Sequence, residues 1–360
     1  MPLVSSHVFG NHKGGCGKTT LLFQVANLYA KHHPDETVVV LDFSTLGDLS
    51  KIMLGGNVNA RGQRAMGEQL GLGKSSNELI RLAKEFGHSG QQPQGASGIT
   101  GLFNRLRLGG ASSAFDFTPP LMRPSEVNAG IPSNVLLGLG GSEPQTPLSD
   151  DEVRQVSGVL QHALGATEQK HKLFIDTDGD LKFSHFTKVA MTMCEHCVIP
   201  LKPNFNDFQR LETFLEELHP INGAKVLMIV WNEIDVQSYK ACSVTDTESG
   251  KSVLLSPTLY PSKAVQDVVL EHDKMMMNVS LEYPTLFTHP AVNRDPGAFA
   301  ESSTVCMQVY GITGLASAEH GIPVCNMTKG KLTGGRIEYA IDETKLQRMV
   351  DNVQELVDKL

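Results

Sequence analysis

The chain has 360 residues, of which 40 % are hydrophobic and 19 % charged, a composition that excludes a mainly disordered protein. Its formal charge of −8 excludes a general polycation, so any contact with nucleic acid has to come from a local basic patch. No apolar run approaches the roughly 20 residues of a membrane span, and the N-terminus lacks the pattern of a signal peptide. These features, with six cysteines, favour a cytoplasmic protein in a reducing compartment.

Short, nearly continuous apolar runs alternate with helical patterns along most of the chain. The first run, Leu3–Phe9, leads into a glycine-rich loop over 10–20 and a helix over 21–31. Further buried strands are predicted at 37–41, 134–139, 172–175, 197–201, 225–231 and 253–259. Helices are predicted at 150–166, 183–194, 207–218 and 262–273. This alternation predicts an α/β fold with a mostly parallel central β-sheet covered by helices on both faces.

Residues 57–147 interrupt the alternation, because they contain 15 of the 34 glycines and seven prolines. We predict a helical insertion over 57–131, with helices at 76–86 and 99–108 joined by loops, within one domain that covers 1–360. The last segment, 342–360, carries apolar residues at helical spacing and is predicted to be an amphipathic helix. It has three basic against five acidic residues, which favours packing on the core over contact with anionic lipid.

The most specific motif is G-N-H-K-G-G-C-G-K-T-T at 10–20. Glycines let successive backbone N–H groups face a phosphate, and the following helix adds the positive end of its dipole. Lys18 would reach the β and γ phosphates, and the Thr19 hydroxyl can hold Mg²⁺. The alternative is a turn without a ligand, which the strand before and the helix after make less favourable. The predicted nucleotide-binding residues of the loop are Gly14, Gly15, Cys16, Gly17, Lys18, Thr19 and Thr20.

Within this loop, K-G-G-x-G-K-T-T at 13–20 resembles the deviant Walker A motif of the ParA/MinD superfamily of P-loop ATPases. The resemblance implies ATP and Mg²⁺ as cofactors and a homodimer that sandwiches the nucleotides. It also implies that Lys13 crosses to the partner's phosphates. A second cation there would stabilise the charge that builds up during phosphoryl transfer, so Lys13 and Lys18 are predicted to be catalytic. The alternative for Lys13 is a solvated loop lysine.

The segment at 41–48 follows the second predicted strand and resembles the Walker A′ segment of the family, which usually has two carboxylates spaced D-x-D. Asp42 matches the first carboxylate, but Ser44 occupies the second position, and serine cannot act as a base. By resemblance to the D-x-x-x-D of the nitrogenase iron protein, Asp48 is the predicted switch residue. The alternative for Asp48 is the N-cap of a helix. Asp42 and Asp48 complete the predicted catalytic set.

An apolar strand delivers Asp176 in K-L-F-I-D-T-D-G at 172–179, which resembles Walker B followed by switch II. Asp176 would orient Mg²⁺ through water, and the Gly179 N–H would sense the γ-phosphate. Thr19 and Asp176 are therefore the predicted metal residues. Asp178 and Asp180 crowd the same turn, where ParA proteins more often have D-T-P-P, so the resemblance leaves the detail of this switch open.

Asn232 ends another predicted strand, where the resemblance implies contact with the adenine edge, which an amide can match as both donor and acceptor. A turn-forming asparagine is the alternative. Tyr260 and Pro261 follow the last predicted core strand, where the family has a loop that covers the base. The single C-x-x-C at 194–197 supplies only two ligands, and small buried side chains explain it better than a metal site.

For the whole chain, the resemblance implies a ParA-like ATPase that partitions or positions DNA or other large cargo with an adaptor protein, which stimulates slow hydrolysis. Short basic clusters are candidate contacts for nonspecific DNA: Arg105, Arg107, Arg123, Lys329, Lys331 and Arg336. Because of Ser44, a nucleotide-locked scaffold with poor hydrolysis remains an alternative. A MinD-like positioning protein is another, although the acidic C-terminal segment disfavours its membrane binding. A metallocluster reductase would need a cysteine pair around switch II, where the sequence has none.

Overall fold

The computed structural model describes residues 3–89, 115–141, 147–179, 182–334 and 337–360. The strands are β1 (Leu3–Phe9), β2 (Thr37–Phe43), β3 (Val135–Gly138), β4 (His171–Thr177), β5 (His196–Leu201), β6 (Lys225–Ile234), β7 (Val236–Ser238), β8 (Cys242–Thr245), β9 (Ser252–Ser256), β10 (Tyr260–Pro261), β11 (Thr304–Gln308), β12 (Gly330–Gly334) and β13 (Ile337–Ile341). Seven of them form a sheet in the order β11-β6-β5-β1-β4-β2-β3. All neighbours in this sheet are parallel.

Helices cover both faces of this sheet. They are α1 (Lys18–His32), α2 (Asp48–Met53), α3 (Arg61–Gly71), α4 (Ser76–Ser89), α5 (Asp150–Ala166), α6 (His185–Met193), α7 (Phe205–Leu218), α8 (Lys263–Glu282), α9 (Pro296–Ser303), α10 (Gly311–His320) and α11 (Glu343–Val357). One apolar cluster joins the sheet to α1, α10 and α11, and the other joins it to α5, α6, α7 and α8. The predicted α/β fold with a parallel sheet between helical layers is confirmed.

The sheet register brings the predicted motifs to one edge. Every residue of β2 and β4 is buried, as expected for parallel strands between two helical layers. Phe9 at the end of β1 lies opposite Asp176 of β4, and Asp176 lies opposite Asp42 of β2. The glycine-rich loop and both aspartates therefore meet at the carboxyl ends of the strands, where open α/β sheets bind ligands.

The prediction of a core strand at 253–259 is wrong. This segment contributes β9, which pairs antiparallel with β8 in a separate two-stranded ribbon. Burial alternates along it, since Leu254 is 45 % exposed between the buried Val253 and Leu255. The strand beside β6 is instead β11, for which the sequence predicted nothing because Thr304 and Gln308 interrupt its apolar character although both are buried.

The predicted helices at 76–86 and at the end of the chain are present in the structure. The helix predicted at 76–86 is confirmed as α4, whereas the one predicted at 99–108 lies outside the described residues. The Asp342 side chain caps α11 by accepting from the Lys345 N–H. This helix buries one face on the core, as predicted, and its Asn352 bonds to β11. Among the described helices, none has the length and apolar character needed to cross a membrane.

Candidate nucleotide site

The glycine-rich loop joins β1 to α1, and neighbouring strands hold its start. The Gly10 N–H donates to the Val198 carbonyl at 3.1 Å, and the Asn11 amide donates to the Pro200 carbonyl at 2.7 Å, so β5 anchors the loop. Gly14, Gly15, Cys16 and Gly17 lie between the strand and the helix, and Lys18, Thr19 and Thr20 form the first turn of α1. Gly17 has a φ of 92°, a conformation that suits glycine at the helix start.

The side chain of Lys18 lies within this loop and is 6 % exposed. Its ammonium donates to the carbonyls of Asn11 at 3.3 Å and Lys13 at 3.1 Å. The Cys16 thiol donates to the same Lys13 carbonyl at 3.2 Å, and burial raises the pKa of this thiol. A cation enclosed by backbone at a helix N-terminus is the arrangement that binds phosphate in P-loops.

Thr19 and Asp176, the two predicted metal residues, are in direct contact. The Thr19 hydroxyl donates to Oδ2 of Asp176 at 2.7 Å. Among the described residues, Oδ1 of this fully buried carboxylate has no hydrogen-bond partner. Burial, and then the charge of Asp42, raise the pKa of Asp176 to about 8. A buried, incompletely paired carboxylate beside a hydroxyl fits Mg²⁺, which takes oxygen ligands and keeps several waters.

Asp42 is held by its own segment of the chain. Its Oδ1 accepts from the backbone and hydroxyl of Ser44, at 3.0 and 2.6 Å. Its Oδ2 accepts in the same way from Ser50, at 2.9 and 2.6 Å. Burial raises the pKa of Asp42 despite these four hydrogen bonds. Ser44 therefore donates to the first carboxylate of the Walker A′ segment, at the position where the family has its second.

Asp48 lies apart from this cluster. It is the first residue of α2, its side chain is exposed, and it forms an ion pair with Lys51 at 2.9 Å. The alternative role as N-cap is wrong, because Gly47 occupies the cap position with a φ of 64°. Ser50, which sequence reasoning missed, contacts Asp42 from the first turn of the same helix. The switch role of Asp48 stays a prediction.

Lys13 has a partner that the sequence did not reveal. Its ammonium forms an ion pair with Oδ1 of Asp207, at the start of α7. Asp207 is fully buried, whereas 26 % of the Lys13 side chain is exposed. The other carboxylate oxygen accepts from the Lys202 N–H at 3.1 Å, and the Asp207 N–H donates to the capping side chain of Asn204. Lys13 is therefore held within its own chain at the rim of the loop.

The predicted switch II segment lies directly against the P-loop. A Cβ atom on Gly179 would lie 2.7 Å from the Gly14 nitrogen and 2.8 Å from the Lys13 carbonyl carbon, closer than real Cβ contacts allow. The Asp178 carboxylate accepts from the Thr45 N–H at 3.0 Å. The backbone that follows Asp176 thus contacts the P-loop on one side and the Walker A′ segment on the other.

The predicted base contacts lie on the other side of the loop. The Asn232 amide donates to the Cys16 carbonyl at 2.8 Å and so supports the P-loop, a contact that sequence reasoning missed. Tyr260 and Pro261 form β10, which pairs with β7, and the Lys240 ammonium lies 4.3 Å from the centre of the Tyr260 ring. Contact of these three residues with a base stays a prediction.

Three of the predicted DNA contacts lie outside the described residues, namely Arg105, Arg107 and Arg336. Arg123 donates to a backbone carbonyl at 2.6 Å. Lys329 and Lys331 form ion pairs with Glu343 and Glu338, both at 2.8 Å, so acidic side chains offset their charge.

Within the described ranges, no group of three or more His, Cys, Asp and Glu side chains could hold a metal ion, and both cysteines of the C-x-x-C are buried.

This fold, with the glycine-rich loop between β1 and α1, has the architecture of P-loop proteins that carry a deviant Walker A motif. The sequence matches no family model and no curated protein. Among solved structures, pNOB8 ParA superposes over 99 % of this chain and 96 % of its own, with TM-score 0.53 and 11 % identity. A plasmid partition protein from Borrelia burgdorferi B31, bound to AMPPNP, matches over 99 % of both chains, with TM-score 0.50 and 12 % identity. The chain thus shares the fold of these two partition proteins, which agrees with the fold that the loop predicted.

Proposed function

We propose that this chain is a ParA-like ATPase: a homodimerising switch, dependent on ATP and Mg²⁺, that acts in the cytoplasm and partitions or positions DNA or another large cargo with an adaptor protein. The observation that carries this proposal is the contact between Thr19 and the buried Asp176 beside a deviant Walker A loop. The Borrelia protein of the same fold is bound to AMPPNP, which supports ATP as the nucleotide.

Thr19 and Asp176 would hold Mg²⁺, Asp176 through water, and the ion would neutralise charge between the β and γ phosphates. Because burial raises the pKa of Asp176 to about 8, this carboxyl has to release a proton at neutral pH when the ion binds. Lys18 would turn its ammonium from the carbonyls of Asn11 and Lys13 to the phosphates. The Gly179 backbone, packed on the loop, would respond to the γ-phosphate.

Lys13 would exchange one anion for another when the dimer forms. In the single chain its ammonium is paired with Asp207, and in the sandwich it would contact the partner's phosphates. The exchange leaves Asp207 with the Lys202 N–H and the N-terminus of α7 as its remaining partners. Dimerisation would therefore deliver the second catalytic cation and gate hydrolysis.

Slow hydrolysis follows from the state of Asp42. Both of its oxygens already accept two hydrogen bonds each from Ser44 and Ser50, so this carboxylate is poorly placed to take a proton from water. An adaptor that rearranges this segment would then stimulate turnover. The same observation favours the second candidate, a scaffold that stays locked with ATP.

The C-terminal helix bears on the choice between the ParA-like and MinD-like functions. α11 packs Leu346, Met349, Val353 and Leu356 into the core, so this face is not free to bind lipid. Its buried Asn352 also bonds to backbone groups of β11. These contacts support the ParA-like function, in which DNA is bound nonspecifically.

The test is light scattering of the protein with Mg²⁺ and ADP, ATP or AMPPNP. We expect a dimer with ATP and AMPPNP but not with ADP. Lys13→Gln, which keeps a donor for Asp207, should lose the dimer, whereas Lys225→Gln at the exposed start of β6 should keep it. An oligomeric state that is the same with every nucleotide and is unchanged by Lys13→Gln would contradict the proposed nucleotide-sandwich dimer. Phosphate release by the dimer separates the switch from the locked scaffold.

A further inference from the structure

A basic cavity of about 250 Å³ lies outside the nucleotide site, where the start of α3 meets the end of α10. Its lining residues are Gly55, Val58, Asn59, Arg61, Arg64 and His320. Two of them are arginines, one is histidine and none is acidic. A second cavity of about 540 Å³, beside α5 and α7, has acidic and basic side chains together. The charges that line the first cavity therefore favour an anion.

The polar groups that line this cavity are incompletely paired. Nη2 of Arg61 donates to the Val127 carbonyl at 2.6 Å, which orients the guanidinium but uses one of its five N–H groups. Arg64 is exposed, and its guanidinium makes no hydrogen bond or ion pair with any residue that the structure describes. Nε2 of His320 is shielded from solvent and likewise has no partner there. These groups leave donors available to a ligand.

Backbone strain shapes the wall of the cavity. Asn59 and Ala60 have φ values of 52° and 54°, so two consecutive residues other than glycine adopt the left-handed conformation. Such left-handed conformations of residues other than glycine are concentrated at functional sites. The turn lets α3 begin at Arg61, and the first turn of this helix contains no acidic residue to neutralise its dipole.

The opposite wall is fixed by close packing of backbone. A Cβ atom on Gly321 would lie 2.3 Å from the Ile52 carbonyl oxygen, so the end of α10 packs directly on the end of α2. This contact holds His320, the last residue of α10, beside the start of α3. Arg61 and Arg64 lie on the first turn of α3, whereas His320 ends α10, so the fold brings together two segments that are distant in sequence.

We propose that this cavity binds a phosphate group, and specifically a phosphodiester of the DNA backbone. The planar fork of arginine matches two phosphate oxygens at once, and two arginines with a histidine can surround the group. Both arginines are exposed, so a bound phosphodiester could extend its two ester oxygens along a strand into solvent. The proposal rests on the proposed function in taking DNA as the polyanion, while free phosphate shares the same chemistry.

The test is binding of a labelled mixed-sequence DNA duplex to the full chain with Mg²⁺ and AMPPNP, measured by anisotropy at several salt concentrations. Arg64→Gln should weaken binding about three- to tenfold at low salt and reduce the slope of log K against log salt by about one. The matched control is Arg294→Gln, an exposed arginine before α9 that loses the same charge. It should bind within about twofold of wild type.

Three results would overturn the proposal at different levels. Equal effects of the two substitutions, or none, would reject the cavity while leaving DNA binding intact. A wild-type protein that binds no duplex in any nucleotide state would contradict the DNA-binding part of the proposed function. In that case, calorimetry with inorganic phosphate and AMPPNP in the P-loop decides the cavity's chemistry. If wild type binds inorganic phosphate and Arg64→Gln does not, the cavity is a site for free phosphate. If wild type does not bind inorganic phosphate, the cavity is not a phosphate site.

Discussion

β4 has one buried charged side chain near each end, and these two side chains differ in how completely they are hydrogen-bonded. At the amino end, the Lys172 ammonium donates to the Ser5 hydroxyl at 2.6 Å and the Leu360 carbonyl at 2.7 Å, and it lies 4.8 Å from the centre of the Tyr29 ring. At the carboxyl end, Asp176 has one oxygen bonded to Thr19 and the other without a partner among the described residues. The charged group at the amino end of β4 thus has its polar partners within the chain, whereas the one at the carboxyl end lacks a partner for one oxygen.

This difference in hydrogen bonding distinguishes a buried charge that supports the fold from one that is available to bind a ligand. Buried charges are costly unless their hydrogen bonds are satisfied, so an unsatisfied one is retained only where something else repays the cost. Burial lowers the pKa of Lys172 to about 8 and raises that of Asp176 to about 8. The two groups therefore make opposite contributions to the pH dependence of stability.

The largest expected effect is on ATP hydrolysis, which should depend on the charge at the carboxyl end of β4 and not on the charge at its amino end. Asp176→Asn removes the carboxylate that would orient Mg²⁺, and we expect ATP hydrolysis to fall by about 10²- to 10³-fold. Lys172→Met removes a charge of the other cluster and should leave hydrolysis within about threefold of wild type. Phosphate release at saturating Mg²⁺ and ATP measures both. Comparable losses in the two variants would erase the distinction between the ends.

The next effect concerns the stability of the nucleotide-free protein. Because the folded pKa of Asp176 is raised above its unfolded value, the folded state holds the extra proton, and stability falls as pH rises from about 4 to 8. Asp176→Asn should therefore gain on the order of 3 kcal/mol at pH 8 and little at pH 4. Urea unfolding at the two pH values checks this. A loss of stability at pH 8 would show that the carboxylate is satisfied after all.

Lys172 should give a smaller effect of opposite sign. Its folded pKa of about 8 lies below the usual value of 10.5, so the folded state loses its proton first and stability rises from pH 8 to about 10.5. The rise should be on the order of 2 kcal/mol in wild type and absent in Lys172→Met. Unfolding curves across this range decide the point. A rise that persists in the variant would assign it to another group.

The smallest effect compares two asparagine amides, of which Asn232 is buried and Asn134 is half-buried. The Asn232 amide donates to the Cys16 carbonyl at the end of the sheet with the P-loop. At the other end, the two N–H groups of the Asn134 amide are shared among three carbonyls, including that of Ala30, at 2.9 to 3.0 Å. Loss of one neutral hydrogen bond costs about 1 kcal/mol, so Asn232→Ala should weaken AMPPNP binding about fivefold. Asn134→Ala should lower the unfolding midpoint without changing this affinity. Calorimetric titration of both variants with AMPPNP measures this contrast. Equal affinities of the two variants for AMPPNP would contradict the prediction.

Local sequence predicted the parts of the site that one segment builds. The P-loop and the strand that delivers Asp176 each carry their geometry within about ten residues, and the parallel sheet then brings Thr19 to Asp176. Asp207 was missed because it reaches Lys13 across 194 residues and belongs to no motif. Ser50 was missed because the conformation of Gly47 sets the direction of α2, which no residue count reveals.

The errors in the sheet have a related cause. The apolar residues of β9 suggested a core strand, but their alternating burial belongs to a ribbon with one covered face. β11 is fully buried although it contains threonine, cysteine and glutamine. In both segments the neighbours in space decide burial, and residue type alone does not. The insertion over 57–131 and the single-domain organisation remain predictions from composition.

The thiol in the P-loop gives the protein a built-in reporter. Cys16 is buried, its S–H is engaged by the Lys13 carbonyl, and its raised pKa keeps the reactive thiolate scarce. Alkylation by a maleimide therefore requires the loop to open first, so the reaction rate counts opening events. The protection that nucleotide gives Cys16 against alkylation would measure how far phosphate contacts suppress those openings, without a cysteine having to be introduced.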